Sequence, residues 1–173
     1  GRLGAMVYGI PATERLQLNE ETIWAGQPNK NANPHAKAAL PVVQNLIWKG
    51  EYRKAQDMCT EKIMSNTNFG MPYQPFGDVY ISAPGMDGYS QYYRELSLDS
   101  ARCLTRWTAH GVNYQREVIT SFVDNVVMVR FTANKPHSIT FNANFTSPHD
   151  DVIIRTDGEE ATLEGVAAKQ IGR

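Results

Sequence analysis

The sequence predicts a mainly β fold, antiparallel sheets packed as a sandwich with a short two-helix insertion. From residue 71 onward, strand-like segments recur at roughly ten-residue spacing with turn residues between them. Ala101, Cys103, Thr105, Trp107 and Ala109 fall on one face of a single strand by its period of two. Helical periodicity is confined to about 34–64, within a chain that otherwise reads as β.

Residues 3–8 and 14–19 are the first two expected strands, joined by a turn at Gly9, Ile10, Pro11 and Ala12. In the second, Leu16 and Leu18 point to one face and Arg15, Gln17 and Asn19 to the other. A long irregular stretch follows over 20–34, and loops of that length are often functional. Asn33 and Pro34 signal a helix start. Pro41 then predicts a break, so a short turn should precede a helix over 41–49 with Val42, Val43, Leu46 and Ile47 on its apolar face and Gly50 closing it. A second helix is expected over 51–64, with Tyr52, Ala55, Cys59 and Ile63 at helical spacing.

Prolines 72, 75 and 84 hold the approach to the β region extended. Strands are expected at 78–83, along the alternation Arg94, Leu96, Leu98, and in a hairpin turning at 110–113 and returning over 114–122. Asp124 and Asn125 turn the chain into VVMVRFTA, residues 134–137 turn it into SITFNANF, and Asp157 and Gly158 separate DVIIRT from EATLEGVA.

Composition narrows the function classes. A chain of 173 residues fits one domain and should bury roughly 70% of the surface its unfolded form exposes, enough to fold without a metal or disulfide staple. A net charge of −1 with no basic stripe argues against nucleic acid as a partner. The apolar runs are too short to span a bilayer as a helix, so no membrane partner is expected. Cys59 and Cys103 lack the close spacing of a zinc or redox pair and are expected as free thiols, a disulfide staying open. The start is abrupt: Leu3, Ala5 and Val7 already alternate and no initiator Met precedes them, so the chain is expected to be a piece of a longer protein.

Candidate chemistry is sparse. His35, His110, His137 and His149 show no metal-ligand spacing, and the run His149, Asp150, Asp151 is expected as a solvated turn. Glycosidic hydrolysis needs two carboxylates flanking one bond, and Glu20, Glu21 and Asp78 offer no singled-out pair. No nucleophile elbow, phosphate loop or dinucleotide fingerprint is present, so no catalytic residue and no cofactor is expected. The aromatic residues carry more. Trp24, Phe69, Tyr73, Phe76 and the trio Tyr89, Tyr92, Tyr93 mix with amides and carboxylates, a combination that suits a sugar's C–H face and hydroxyls. Trp107 is expected in the core and Trp24 in a polar loop.

The blocks GRLGAMVYG, ERLQLNEETIWAGQPN, YQPFGDVYI, YYRELSLDSA and YQREVITSFVDNVVMVRFTA resemble, in order, the N-terminal domain of glycoside hydrolase family 95, the α-L-fucosidases, some of which act on α-L-galactosides. The resemblance runs from Gly1 to about Val166 and takes in the two-helix insertion. It implies an antiparallel β-supersandwich that precedes a helical linker, an (α/α)6 barrel and a C-terminal β domain. It further implies a parent that is an inverting hydrolase of terminal α-L-fucose, secreted or periplasmic, degrading fucosylated glycans. The family's catalytic acid and asparagine-assisted aspartate base belong to the barrel, so residues 1–173 are expected to be a non-catalytic domain packing on that barrel. Gln17, Asn19, Glu20 and Thr22 are its candidate hydroxyl partners and Trp24 its stacking face, together lending a loop to the substrate pocket. The alternative is a free-standing carbohydrate-binding module.

Overall fold

A computed structural model describes residues 2–26, 31–65 and 71–167. Pro28, Phe69 and the other residues of 27–30 and 66–70 lie outside the described residues. The chain divides into a β unit, formed by residues 1–24 and 73–168, and a second unit built around residues 25–72.

The β unit holds two four-stranded antiparallel sheets and a small hairpin. β1 (Leu3–Val7), β2 (Thr13–Glu20), β3 (Gly77–Ser82) and β8 (Asn142–Thr146) form the first sheet, in that order. β4 (Ser90–Ser97), β5 (Arg102–Ala109), β6 (Val112–Ser121) and β7 (Val126–Ala133) form the second, as a simple meander. β9 (Ile153–Asp157) and β10 (Glu160–Glu164) pair only with each other among the described residues.

Alternation dictates how the two large sheets meet. Val7, Leu16 and Ile81 from the first pack on Cys103 and Val118 from the second, with Leu18, Val79, Val127, Val129 and Phe131 closing around them. A second cluster of Met86, Trp107, Ala109, Val112 and Tyr114 fills the other end, where Trp107 and Tyr114 stack at 5.5 Å. This is the predicted sandwich, with Trp107 in its core. The β5–β6 turn is built by His110 and Gly111, both with positive φ, as the tight hairpin of right-twisted strands requires. The alternation through Arg94, Leu96 and Leu98 stops short of its expected end: β4 finishes at Ser97, and Leu98 opens the exposed turn into β5.

Charge is also buried between the sheets. Glu14 lies on the core face of β2, wholly buried, and forms an ion pair with Arg116 of β6, itself 1% exposed. The Glu14 carboxylate collects backbone N–H groups from Tyr8, Gly9 and Arg15 at 2.8–3.1 Å. Arg94 caps the same turn by donating to the carbonyls of Val7 and Tyr8, and Tyr92 donates to that of Gly9. Gly9 has φ +81°, and a Cβ there would come within 2.8 Å of the Arg94 side chain, so the turn accepts only glycine without displacing that cap.

On the outer face of the second sheet, Glu117 is covered by two guanidinium groups, Arg102 at 2.7 Å and Arg130 at 2.6 Å. Desolvation pushes its carboxyl upward, but the hydrogen bonds of Arg102 and Gln115 and the charge of Arg130 outweigh this and hold it below the usual carboxylate range. Below about pH 4.3, the ordinary glutamate value, the unfolded chain therefore binds protons that the folded one still refuses. The stabilisation from Glu117 is complete above that pH and is lost as pH falls through the lower folded value. The urea midpoint of the unsubstituted chain should fall between pH 5 and 3, and Glu117→Gln should flatten that fall; an unchanged slope counts against this linkage.

In the second unit, α1 (Ala36–Trp48) runs straight through Pro41, which corrects the expected break. Proline at that position forgoes a single backbone hydrogen bond, and the helix continues around the gap. Asn33 caps from outside: its side-chain oxygen accepts the His35 N–H at 2.9 Å. Gly50, with φ +75°, ends the helix as expected; its N–H reaches Ile47 and that of Glu51 reaches Leu46. Of the predicted apolar face, Val43 alone is buried, while Val42 and Ile47 are exposed. The second helix is also corrected. α2 (Tyr52–Met58) gives way at Cys59 to a wider π turn over Cys59–Ile63, closed by the Met64 N–H on the Cys59 carbonyl. Cys59 and Cys103 are free thiols.

Candidate functional site: the Trp24 arm and its cleft

Past the end of β2 the chain makes a tight excursion whose form is set by one carboxylate. Glu20 accepts the Arg2 guanidinium at 2.6 Å through one oxygen and the Thr22 N–H at 2.8 Å and hydroxyl at 2.5 Å through the other. The Thr22 hydroxyl, followed by Arg2, holds this carboxyl below its ordinary value. Glu20 is thus a staple that orients Thr22, with both oxygens engaged within the protein.

The excursion is then strapped to residues 73–76. Trp24 and Tyr73 form an isolated antiparallel bridge, Gln74 donates to the Ile23 carbonyl at 2.9 Å and Phe76 to that of Leu18 at 3.1 Å. Tyr73 donates its hydroxyl to the Glu20 carbonyl and meets the Trp24 ring edge-on at 5.1 Å. The Trp24 indole N–H is used at home, on the Glu21 carbonyl at 2.8 Å. What the arm offers outward is therefore the ring face, with Trp24 48% exposed.

Beneath the arm lies an open cleft of about 270 Å³, walled by Thr22, Ile23, Trp24 and Phe76 on one side and by Ser147, His149 and the end of β10 on the other. Ser147 donates to the Phe76 carbonyl at 3.0 Å, and the His149 Nε2 lies 2.7 Å from the Pro75 carbonyl. A carbonyl only accepts, so Nε2 carries a proton, and in the neutral ring Nδ1 is the acceptor. An apolar ring face, a threonine hydroxyl oxygen and an imidazole nitrogen around a small cleft can grip a hydroxylated ring; they cannot by themselves cleave one.

Of the residues singled out from sequence, Thr22 and Trp24 come together in this cleft. Glu20 stands behind it. Gln17 and Asn19 project from the opposite face of β2 to Leu16 and Leu18, Gln17 between Met6 and Asp78 and Asn19 across from Gly4. On that outer face Arg15 pairs with Asp78 at 2.9 Å and lies against the Tyr8 ring at 4.9 Å. Ser147 and His149 were missed: the solvated turn expected at 149–151 contributes a half-buried His149 to the cleft, because β3–β8 pairing carries that turn to Pro75 and Phe76. Among the described residues no group of three or more His, Cys, Asp or Glu gathers in a way that would hold a metal.

Stacked antiparallel sheets with an aromatic arm over a small cleft define a β-sandwich domain with a candidate ligand cleft. Over residues 1–172 the chain matches the family described as glycosyl hydrolase family 65, N-terminal domain, and it belongs to that family. Its relatives include alpha-L-fucosidase 2 of Arabidopsis thaliana, 33% identical over 150 residues, a match covering 85% of this chain and 17% of that protein. Probable alpha-fucosidase A of Aspergillus niger is 28% identical over 182 residues, covering 99% of this chain and 22% of the relative. The chain is thus a fucosidase-related N-terminal domain that spans about a fifth of the length of these relatives. The resemblance to family 95 read from the sequence blocks is consistent with both matches.

Proposed function

We propose that this domain serves an inverting α-L-fucosidase, or a closely related α-L-galactosidase, whose catalytic groups lie in a barrel outside residues 1–173. Its work is to pack on that barrel and to lend the Trp24 arm to the rim of the pocket that receives a fucosylated glycan. The observation that carries this reading is the arm itself. A half-exposed indole is fixed by a hydrogen bond, an edge-on tyrosine and a backbone bridge, so its ring is presented to solvent at little further cost in entropy. A methylated, hydroxylated ring such as fucose matches a surface of that kind. The same reading puts the enzyme in the secreted or periplasmic space, where such glycans are met, a placement supported by the family resemblance.

In the full-length enzyme, Trp24→Ala should lower kcat/KM on an α-L-fucoside about tenfold, equivalent to ~1.4 kcal/mol of transition-state binding, while the melting temperature moves little. Following the reaction by NMR should show β-L-fucose as the first anomer released. Unaltered kinetics in a folded Trp24→Ala enzyme would remove the arm from the pocket, and α-L-fucose as first product would exclude inversion.

A further inference from the structure

The outer face of the second sheet, strands β4 to β7, carries an open groove of about 650 Å³, within the range of small-ligand sites. Its floor is Leu104, 1% exposed although it faces away from the sandwich core. Its walls are side chains already ordered by bonds across the strands. Arg106 donates Nε to the Gln115 side-chain oxygen at 2.9 Å, and the Asn113 backbone N–H donates to the Asn134 side-chain oxygen at 2.8 Å. The Gln115 oxygen is engaged by Arg106 and its NH2 donates to the Glu117 carboxylate, so the NH2 of Asn134 is the amide end left for a ligand. Thr108 touches the amides of both Gln91 and Asn113 at 2.9 Å. A hydroxyl has one proton, so one of these two amides must turn its NH2 to Thr108 while the other accepts from it.

The groove is therefore rich in donors, and its charges are unevenly satisfied. Of the three arginines on this face, Arg102 and Arg130 close on Glu117, whereas Arg106 has no carboxylate partner among the described residues. Glu95 is likewise occupied, accepting from the Tyr93 hydroxyl and lying 3.8 Å from Arg102. What remains is an exposed guanidinium with its terminal N–H groups unspent, flanked by amide donors and the half-exposed Tyr93 ring.

We propose that this groove binds a carboxylate-bearing sugar, a uronic acid unit of an acidic oligosaccharide. The sugar carboxylate would take the Arg106 fork, which matches its planar geometry. Ring hydroxyls would meet the amide group of Asn134, and a C–H face would lie on Tyr93. The site goes beyond the function proposed for the Trp24 arm and shares no residue with it. Direct binding to this chain therefore tests it without reference to fucosidase kinetics.

The experiment is calorimetry of the 173-residue chain with digalacturonic acid, with its carboxyl-reduced neutral form, and with triglutamate as a non-sugar acid. Saturable binding of digalacturonic acid is expected, at least tenfold tighter than either comparator and weakened by added salt. Arg106→Gln should weaken it tenfold or more, and Arg106→Lys less, because the charge is kept and the fork is lost. Thr132→Glu, which sets a carboxylate on β7 directly opposite Gln115, should also weaken it at least tenfold and provides the test if Arg106→Gln fails to fold. Equal binding of the neutral sugar or of triglutamate overturns the proposal. So does the absence of binding at millimolar ligand, or undiminished affinity in a folded Arg106→Gln or Thr132→Glu chain.

Discussion

Replacing Arg116 with methionine should lower the unfolding free energy by about 3–5 kcal/mol, the cost of stranding a buried charge. Arg116 lies between the rings of Trp107 and Phe131, at 5.4 and 5.7 Å, and donates to the Ile10 carbonyl at 3.2 Å. Burial lowers its pKa and the Glu14 carboxylate opposes that shift; a guanidinium starts so far above neutrality that it stays charged. Methionine fills much of the space between the rings but leaves Glu14 facing apolar side chains. Adding Glu14→Gln removes the stranded charge while keeping a side-chain oxygen for the Tyr8, Gly9 and Arg15 N–H groups. The double variant should therefore be at least about 1 kcal/mol more stable than Arg116→Met alone, a coupling typical of groups in direct contact. Urea unfolding by linear extrapolation measures both. A single variant that loses less than 1 kcal/mol, or strict additivity, would show that the pair contributes little. The Arg116 Nε and Trp107 Nε1 atoms have no hydrogen-bond partner among the described residues, so this pocket already bears an unmet polar cost and has little slack for another.

Gly77→Ala should cost about 1–3 kcal/mol, as inserting a methyl group into a closed contact does. A Cβ at Gly77 would sit 2.4 Å from the backbone oxygen of Thr146 and 3.4 Å from Ser147. The obstacle is backbone, so no side chain can swing away to admit the methyl group, and the start of β3 must part from the end of β8. Ser147 and His149 stand just beyond that point, so the damage should extend to the cleft. Amide exchange over residues 145–149 should quicken by more than the change in global stability explains. Exchange that rises uniformly along the chain would mean that the strands give way elsewhere.

The strands were legible where alternation was unbroken. β7 occupies the eight residues 126–133 read from VVMVRFTA, and the core position of Trp107 follows from the parity of its neighbours. Parity also puts Glu14 with Leu16 and Leu18 on the buried face of β2, but nothing near Glu14 announces a partner in β6. Long-range pairing leaves no local trace, which is also why Ser147 and His149 went unnoticed beside Trp24. The helical unit misled for a different reason. A proline costs a helix about 3 kcal/mol without forbidding it, so α1 passes Pro41 where that residue predicts a break, and α2 loosens at Cys59 where periodicity predicts a continuous helix. Trp24 stood out because a large ring in a polar segment is chemically incongruous. The role of Glu20 as a staple depends on Arg2 and Thr22 arriving together, which sequence spacing does not reveal.

The bond from Arg116 to Ile10 joins positions 106 residues apart, and that separation bears on how the protein is made. At roughly 5–20 residues per second on the ribosome, the first hairpin must wait roughly 5–20 s for its guanidinium to be synthesised. Until then Glu14 keeps its water, and Val7 and Leu16 have no second sheet to cover them. A hairpin made early in this domain is among the last of its parts to be sealed.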